Sequence, residues 1–122
     1  MKRNALSLSM MVKGQLATNG INDPRVVDAL SQVDRSQFVP ESLQGAAYVD
    51  NDIKLCKGRF LLEPLIFARM LVHANIHPRH SVLDVGAGLG YSSAVIAQMA
   101  DKVIGIEENA ELVVAARKRL ST

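Results

Sequence analysis

The sequence has no tryptophan, a single cysteine and few aromatic residues, which make up 4% of the chain. One cysteine cannot form a disulfide within the chain, and sparse cysteine is typical of a reducing compartment. No histidine lies near Cys56 in the sequence, so we expect a small half-buried side chain there rather than a nucleophile. The 122 residues, 48% of them hydrophobic, suffice for one modest domain with an aliphatic core.

The chain also lacks a strong charge imbalance and a long apolar run. Its formal net charge is +2, with basic residues scattered along the sequence, which argues against a nucleic-acid partner. No apolar stretch approaches the ~20 residues needed to cross a bilayer. The apolar start at residues 5–12 is diluted by serines and has no cleavage site after it. We therefore expect a soluble, cytoplasmic protein that binds neither nucleic acid nor membrane.

Three histidines, His73, His77 and His80, have spacings that invite comparison with metal sites. Pro78 interrupts helical geometry between the last two, and no carboxylate or cysteine lies close by in the sequence. We expect exposed loop and helix-end residues here, and no metal site.

One stretch, SVLDVGAGLGY at residues 81–91, organises the rest of the chain. An apolar, β-prone run breaks into alternate glycines, Gly86, Gly88 and Gly90, and continues into a helix-compatible segment. Glycine permits sharp turns and positive φ, and it lets a ligand approach the backbone closely. The stretch predicts a strand, a ligand-binding loop and the start of a helix.

An acidic residue indicates the kind of ligand. Residues 102–106 read as a second short buried strand, and Glu107 follows it, about 20 residues after Gly86. An acid at that distance, at the carboxyl end of a strand, is placed to accept hydrogen bonds from ribose hydroxyls. A cofactor containing a nucleoside is therefore predicted.

Two features argue against a dinucleotide. Tyr91 stands where the pattern G-x-G-x-x-G has its third glycine. Asp84 stands two residues before Gly86, where a negative charge would repel a pyrophosphate but attract a sulfonium or ammonium ion. The pattern resembles the first motif of the class I S-adenosylmethionine methyltransferases, Asp/Glu-x-Gly-x-Gly-x-Gly. A nucleotide-dependent oxidoreductase is the alternative that these two residues disfavour.

A wider resemblance extends from about Met11 to Leu120. The run Arg-x-x-Phe-Val-Pro at residues 35–40 and Ala-Tyr-x-Asp at 47–50 precede the glycine loop. Together they resemble the protein-L-isoaspartate O-methyltransferases. The resemblance implies a Rossmann-like α/β fold, S-adenosylmethionine as cofactor, and methylation of isoaspartyl carboxylates in damaged proteins or peptides as a step of protein repair.

The same resemblance implies the site residues. It places on the cofactor side Asp84, Gly86, Ala87, Gly88, Gly90, Tyr91, Glu107 and Glu108. It places on the substrate side Tyr48, Asp50, Gly58 and Pro64.

Residues 58–64 depart from the family pattern Gly-Gln-Thr-Ile-Ser-x-Pro. Phe60 and Leu62 stand where threonine and serine are usual, so two hydrogen-bond donors are missing. Arg59 is the candidate replacement, because its guanidinium can offer a carboxylate two parallel hydrogen bonds, whereas Glu63 would repel such a substrate. We assign Arg59 and Glu63 to the catalytic side. A rebuilt substrate site, a lost one, and a non-catalytic interaction module all stay open.

The fold expected is the N-terminal part of a Rossmann-like methyltransferase, in one incomplete domain. Residues 1–80 form a helical and substrate-side region, and residues 81–122 begin the cofactor-binding sheet with a first βαβ unit and a following helix. Helices are expected at 5–18, from Pro24, from Pro64, at 92–100, and after an Asn109 cap. The fold needs further strands, so we expect either a longer natural protein or self-association through open strand edges, with Val82, Leu83 and Val85 uncovered.

Overall fold

A computed structural model describes residues 2–121, so that Met1 and Thr122 lie outside it. The helices are α1 (Lys2–Met10), α2 (Pro24–Ser31), α3 (Pro64–Ala74), α4 (Tyr91–Ala97) and α5 (Ala110–Leu120). The strands are β1 (Ile53–Cys56), β2 (Arg59–Leu61), β3 (Ser81–Val85) and β4 (Lys102–Ile106). A π-helical segment, Met11–Leu16, and 3-10 turns at Ala17–Asn19, Arg35–Phe38 and Glu41–Ala46 complete the regular structure.

The ends of the helices follow local sequence signals. The first helical region ends at Gly20, whose φ of 84° is the left-handed conformation that glycine adopts easily. Asp23 caps α2 by accepting a hydrogen bond from the Arg25 N–H, and Pro24 holds the first helical position. Asn109 caps α5 in the same way. The expected starts at Pro24, at Pro64 and after Asn109 are confirmed. The helix expected at 5–18 begins at Lys2 and passes into the π-helical segment, and the one expected at 92–100 ends at Ala97.

Strands β1 and β2 form an antiparallel hairpin that the sequence did not predict. The turn between them contains Gly58, with φ at 74°. Ile53 is buried against Val39 and Ala47, which anchors the hairpin to the preceding segment. The region before residue 80 therefore contains a hairpin beside its helices, because this short apolar run finds a packing partner in the chain before it.

Strands β3 and β4 pair in parallel and in register, from Ser81 opposite Lys102 to Val85 opposite Ile106. Helix α4 makes the connection between them, which confirms the expected βαβ unit. Because the strands are parallel, the glycine loop after β3 and Glu107 after β4 meet at one edge of the sheet.

The two faces of this small sheet differ. Val82 and Val103 pack against the main core, so the expectation that Val82 would be uncovered is wrong; alternation along the strand turns it toward the helices. The other face is apolar and exposed, and it consists of Leu83, Val85, Ile104 and Ile106. Self-association through this face or through the strand edges stays a prediction.

The main core lies between the helical face of the sheet and the helices before it. Its large buried members are Met11, Leu16, Val26, Leu30, Phe38, Phe67, Leu71, Tyr91, Val95 and Ile96. Helix α3 buries Phe67, Ala68 and Leu71 and exposes Met70. Leu120 is exposed at the last turn of α5, although its side chain lies beside Gly90. No helix in residues 2–121 combines the length and apolarity needed to cross a membrane.

A charged residue lies inside this core. Arg35 has 0% relative exposure. Its Nε donates to the Ala47 carbonyl at 2.6 Å and its Nη2 to the Leu62 carbonyl at 2.7 Å, while the guanidinium lies 5.0 Å from the centre of the Tyr91 ring. One side chain thus ties the turn after α2 to the hairpin region and to the start of α4.

The Arg35→Met variant tests this role. Removing the guanidinium leaves two inward carbonyls without their donors, and each unpaired group costs about 1 to 3 kcal/mol. We expect the free energy of unfolding, measured by urea denaturation, to fall by about 2 to 5 kcal/mol. The exposed Arg79→Met control should change it by less than about 0.5 kcal/mol. Equal losses in the two variants would contradict the structural role of Arg35.

Candidate functional site

The glycine loop has the backbone geometry that its sequence predicts. Gly86, Gly88 and Gly90 have φ values of 76°, 59° and 102°, a region that other residues rarely adopt. The N–H groups of Gly86 and Ala87 both donate to the Ile106 carbonyl, at 2.8 and 3.0 Å. The loop is therefore held against the end of β4, next to Glu107.

Two of these glycines also lie in close contact with leucine side chains. A Cβ at Gly88 would lie 2.9 Å from Cδ1 of Leu55 in the hairpin. A Cβ at Gly90 would lie 3.0 Å from Cγ of Leu120 at the end of α5. Glycine at these positions lets the hairpin and α5 approach the loop from two sides.

Glu107 is the most enclosed charge at this edge of the sheet, with 4% of its side chain exposed. Its Oε1 accepts a hydrogen bond from the Gly88 N–H at 2.9 Å, and its Oε2 accepts one from the Asn109 N–H at 2.9 Å. Arg59 donates to both oxygens, with Nη1 2.6 Å from Oε2 and Nη2 bonded to Oε1. The carboxylate expected to receive a ribose thus accepts four hydrogen bonds from protein groups.

These contacts change the protonation of Glu107. The hydrogen bond from Arg59 is the largest cause that lowers the pKa of Glu107 from its ordinary 4.5 to about 2. Burial opposes this shift, and the Asn109 and Gly88 N–H groups support it. The same pairing raises the pKa of Arg59. Both groups are charged at neutral pH.

Asp84 lies on β3 and is half-buried. Its Oδ2 accepts hydrogen bonds from the hydroxyls of Ser92 and Ser93, at 2.6 and 2.7 Å. These serines open α4, and sequence reasoning did not single them out, although they directly follow the loop. In this arrangement the carboxylate fixes the first turn of α4 relative to β3.

A crevice of about 540 Å³ lies at the carboxyl ends of β3 and β4. It is lined by Arg59, Val85, Gly86, Ile106, Glu107 and Glu108. Open α/β sheets bind ligands at the carboxyl ends of their strands. A cavity of about 650 Å³ lies between α4, α5 and the helical face of β4, and it also reaches Ala87, Gly88 and Glu107. Glu107 therefore borders both openings, and the crevice is the one that lies at the carboxyl ends of the strands.

The β1–β2 hairpin lies beside the glycine loop, next to Gly88. Phe60 and Leu62, with 55% and 37% of their surface exposed, stand beside Arg59. All three line a small cavity of about 90 Å³ that also touches Gly88 and Ser92. The segment with the missing hydroxyls therefore lies next to the loop and presents apolar side chains there.

The two tyrosines expected at the site make several contacts within the protein. The Tyr48 hydroxyl donates to Asp34 at 2.7 Å and accepts from the Arg35 N–H at 2.9 Å. Tyr91 is buried, with its ring centre 6.0 Å from that of Phe38 and 5.6 Å from that of Phe67. Neither residue lines the crevice, whereas Tyr91 lines the small cavity beside the glycine loop.

The remaining candidate residues occupy separate positions. Asp50 is exposed, and Pro64 is buried at the start of α3. Glu63 precedes α3, and its backbone N–H donates to Asp52 Oδ1 at 2.8 Å. Ala87 lines the small cavity, and Glu108 lines the crevice.

The three histidines are exposed, and their surroundings are polar rather than metal-binding. His77 donates its backbone N–H to Nδ1 of His80 at 3.0 Å, and the two rings meet edge to face. In the part of the chain that the structure describes, no three His, Cys, Asp or Glu side chains come together as a metal site would require.

Comparison with known proteins identifies relatives. The model of the family Protein-L-isoaspartate(D-aspartate) O-methyltransferase matches residues 8–122. The chain is 43% identical over 110 residues to a protein-L-isoaspartate O-methyltransferase of Picosynechococcus sp., covering 90% of this chain and 50% of that one. A relative from Methylorubrum extorquens is 43% identical over 111 residues, with coverages of 91% and 49%. The chain spans about half the length of the curated relatives it matches.

Solved structures share the fold. A Plasmodium falciparum structure assigned to the protein-L-isoaspartate O-methyltransferases, in complex with S-adenosyl-L-homocysteine, aligns with a TM-score of 0.75 and 25% identity, covering 97% of this chain and 55% of that one. Another protein-L-isoaspartate O-methyltransferase aligns with a TM-score of 0.78 and 18% identity, covering 93% and 38%. The expected Rossmann-like fold is confirmed.

The pairing of Glu107 predicts a pH dependence. The folded state holds the Glu107 proton more weakly than the unfolded chain, because the pKa falls from 4.5 to about 2. The stabilisation from this group is therefore complete above about pH 4.5 and is lost as the pH falls toward 2. Carbon-detected NMR titration of the Glu107 carboxyl should show the low midpoint.

Arg59→Gln should move that midpoint upward, because it removes the strongest donor to the carboxylate. Arg69→Gln, which changes an exposed arginine on α3, is the matched control and should leave the midpoint where it is. A midpoint near the ordinary value in the parent protein would show that the pair does not form in solution.

Proposed function

Because the chain belongs to the protein-L-isoaspartate O-methyltransferase family, we propose that it carries the S-adenosylmethionine site of an enzyme that methylates carboxylates. The observation that carries this proposal is the enclosed Glu107 carboxylate at the carboxyl end of β4, beside the glycine loop. The protein would act in the cytoplasm, in keeping with its sparse cysteine.

The residues at the strand ends fit such a cofactor. Glu107 offers an acceptor for ribose hydroxyls, and its geometry is fixed by the N–H groups of Gly88 and Asn109. Gly86 borders the crevice without a side chain, so a ligand can approach the backbone there. S-adenosylmethionine supplies an electrophilic methyl group when bound. Asp84 supports the site indirectly, because its carboxylate holds the first turn of α4 through Ser92 and Ser93.

The substrate we propose is the side-chain carboxylate of an isoaspartyl residue in a protein or peptide. An ionised carboxylate is already a nucleophile, so the chain needs to supply position and exclude water rather than a general base. Phe60 and Leu62 can exclude water but donate no hydrogen bonds. Arg59 lines the small cavity on that side of the loop, and in this arrangement its guanidinium is engaged with Glu107.

A non-catalytic module is the second candidate. The observations that favour it are the apolar side chains at 60 and 62 and the engagement of Arg59 away from the small cavity. Such a protein would bind the cofactor and fail to turn over, so binding and catalysis must be measured separately.

Cofactor binding is tested by calorimetric titration with S-adenosylhomocysteine. Glu107→Ala should weaken binding by about 1.5 to 3 kcal/mol, since a charged hydrogen-bond acceptor is lost. Glu41→Ala, at an exposed acidic residue far along the chain, should bind like the parent, and NAD should not bind either protein. Unchanged affinity in Glu107→Ala would refute the assignment of Glu107 to the cofactor.

Turnover is tested with a short isoaspartyl peptide and labelled S-adenosylmethionine. We expect little methylation by the parent chain, because positions 60 and 62 lack the hydroxyls that the family pattern has. The double variant Phe60→Thr and Leu62→Ser should raise the rate, by about tenfold or more if the two donors hold the substrate oxygen. Robust turnover by the parent chain would show that these hydroxyls are dispensable here.

A further inference from the structure

The carboxylate of Glu107 has no lone pair left for a ligand in this structure. A carboxylate offers about four acceptor positions. Oε1 accepts from Gly88 and Arg59, and Oε2 accepts from Asn109 and Arg59. A ribose that binds Glu107 must therefore replace one of the protein donors.

Of these donors, the Arg59 guanidinium is the one able to leave. The Gly88 N–H belongs to the loop that is tied to β4, and the Asn109 N–H belongs to the residue that caps α5. Arg59 reaches Glu107 from the first residue of β2, next to the hairpin turn, and 28% of its side chain is exposed. Its several rotatable bonds let the guanidinium move without moving the backbone.

Arg59 also borders a second cavity that its guanidinium could enter. Among the described residues, it alone lines both the crevice at the strand ends and the small cavity beside Phe60 and Leu62. A guanidinium released from Glu107 can turn to the side of the loop where the usual hydroxyls are missing. There it would have apolar neighbours, which strengthen its pairing with a carboxylate.

We propose that Arg59 is a cofactor-gated receptor for the substrate carboxylate: it pairs with Glu107 until ribose hydroxyls take that carboxylate, and is then released toward Phe60 and Leu62. This inference rests on the proposed function and adds to it an order of binding. Cofactor binding frees the arginine, and the arginine binds the substrate. By linkage, each ligand raises the affinity for the other.

The pairing of Arg59 with Glu107 should lower the affinity for the cofactor, and this effect can be measured. A protein whose binding-competent state is a minor fraction shows an affinity reduced by that fraction. In calorimetric titrations, Arg59→Gln should therefore bind S-adenosylhomocysteine about tenfold more tightly than the parent chain. Arg59→Lys keeps the positive charge but cannot donate two parallel hydrogen bonds. Its affinity for S-adenosylhomocysteine should lie between those of the parent and Arg59→Gln. Arg69→Gln should match the parent, and thermal unfolding should confirm that every variant is folded.

A second experiment measures the affinity for a short isoaspartyl peptide with and without saturating S-adenosylhomocysteine. In the parent chain the peptide affinity should rise several-fold when S-adenosylhomocysteine is present. In Arg59→Gln the peptide affinity should be low and should not respond. If Arg59 had a purely structural role, Arg59→Gln would change the stability of the protein but not the effect of S-adenosylhomocysteine on peptide affinity.

The outcomes separate the gate from the proposed function. Equal S-adenosylhomocysteine affinity in the parent, Arg59→Gln and Arg59→Lys would overturn the gate and leave the cofactor site intact. Binding by Arg59→Gln but not by the parent would support the gate in its strongest form. If no variant binds S-adenosylhomocysteine, the proposed function is overturned, and the gate falls with it. If Arg59→Gln does not fold, Arg59→Lys decides by the same comparison.

Discussion

The Arg35 guanidinium is buried without access to water, and a charge in that position is tolerated only where protein groups replace its hydration. The Ala47 and Leu62 carbonyls and the Tyr91 ring take that place. The constraint is geometric, because a planar guanidinium fixes the directions of its partners. Leu62 follows β2 and Tyr91 opens α4, so one buried side chain sets the hairpin and the helix on either side of the glycine loop.

This placement explains why a distant pair of residues can meet. The hairpin carries Arg59, and β4 ends at Glu107, 48 residues later in the sequence. Their contact depends on the hairpin lying close over Gly88, where a Cβ would collide with Leu55. The framework around Arg35 and the small size of Gly88 together bring a cation to the carboxylate at the strand end.

Local rules predicted much of this architecture. The glycine loop, the helix start at Pro24 and the cap at Asn109 each depend on a few consecutive residues, and each was predicted. The hairpin was missed because its strands have four and three residues, too few for alternation to be read. The pair of Arg59 with Glu107 was missed because no local pattern encodes a contact across the fold. Ser92 and Ser93 lay beside the motif but became meaningful only with the orientation of Asp84.

The two tyrosines show that a motif residue can have a structural role beside a site. Both belong to motifs that resemble the methyltransferases, and both were expected at the ligand. Tyr91 packs between Phe38 and Phe67, and Tyr48 bridges Asp34 and Arg35. Burying a ring contributes more stabilisation than most single contacts, and a hydroxyl needs a partner once buried. A motif residue near a site can thus be retained because it holds the walls of that site in place.

The pairing of Arg59 with Glu107 at the strand ends depends on the number of hydrogen bonds that each side chain can donate or accept. Two hydroxyls on the substrate side would each offer one donor, whereas a guanidinium offers five in a fixed plane. An unpaired arginine beside an enclosed carboxylate is pulled to it, because opposite charges attract strongly away from water. With the two hydroxyls absent at positions 60 and 62 and an arginine at 59, the proposed gate couples the substrate side to Glu107, since the same cation serves both. With neutral donors the two sides of the loop would bind their ligands independently.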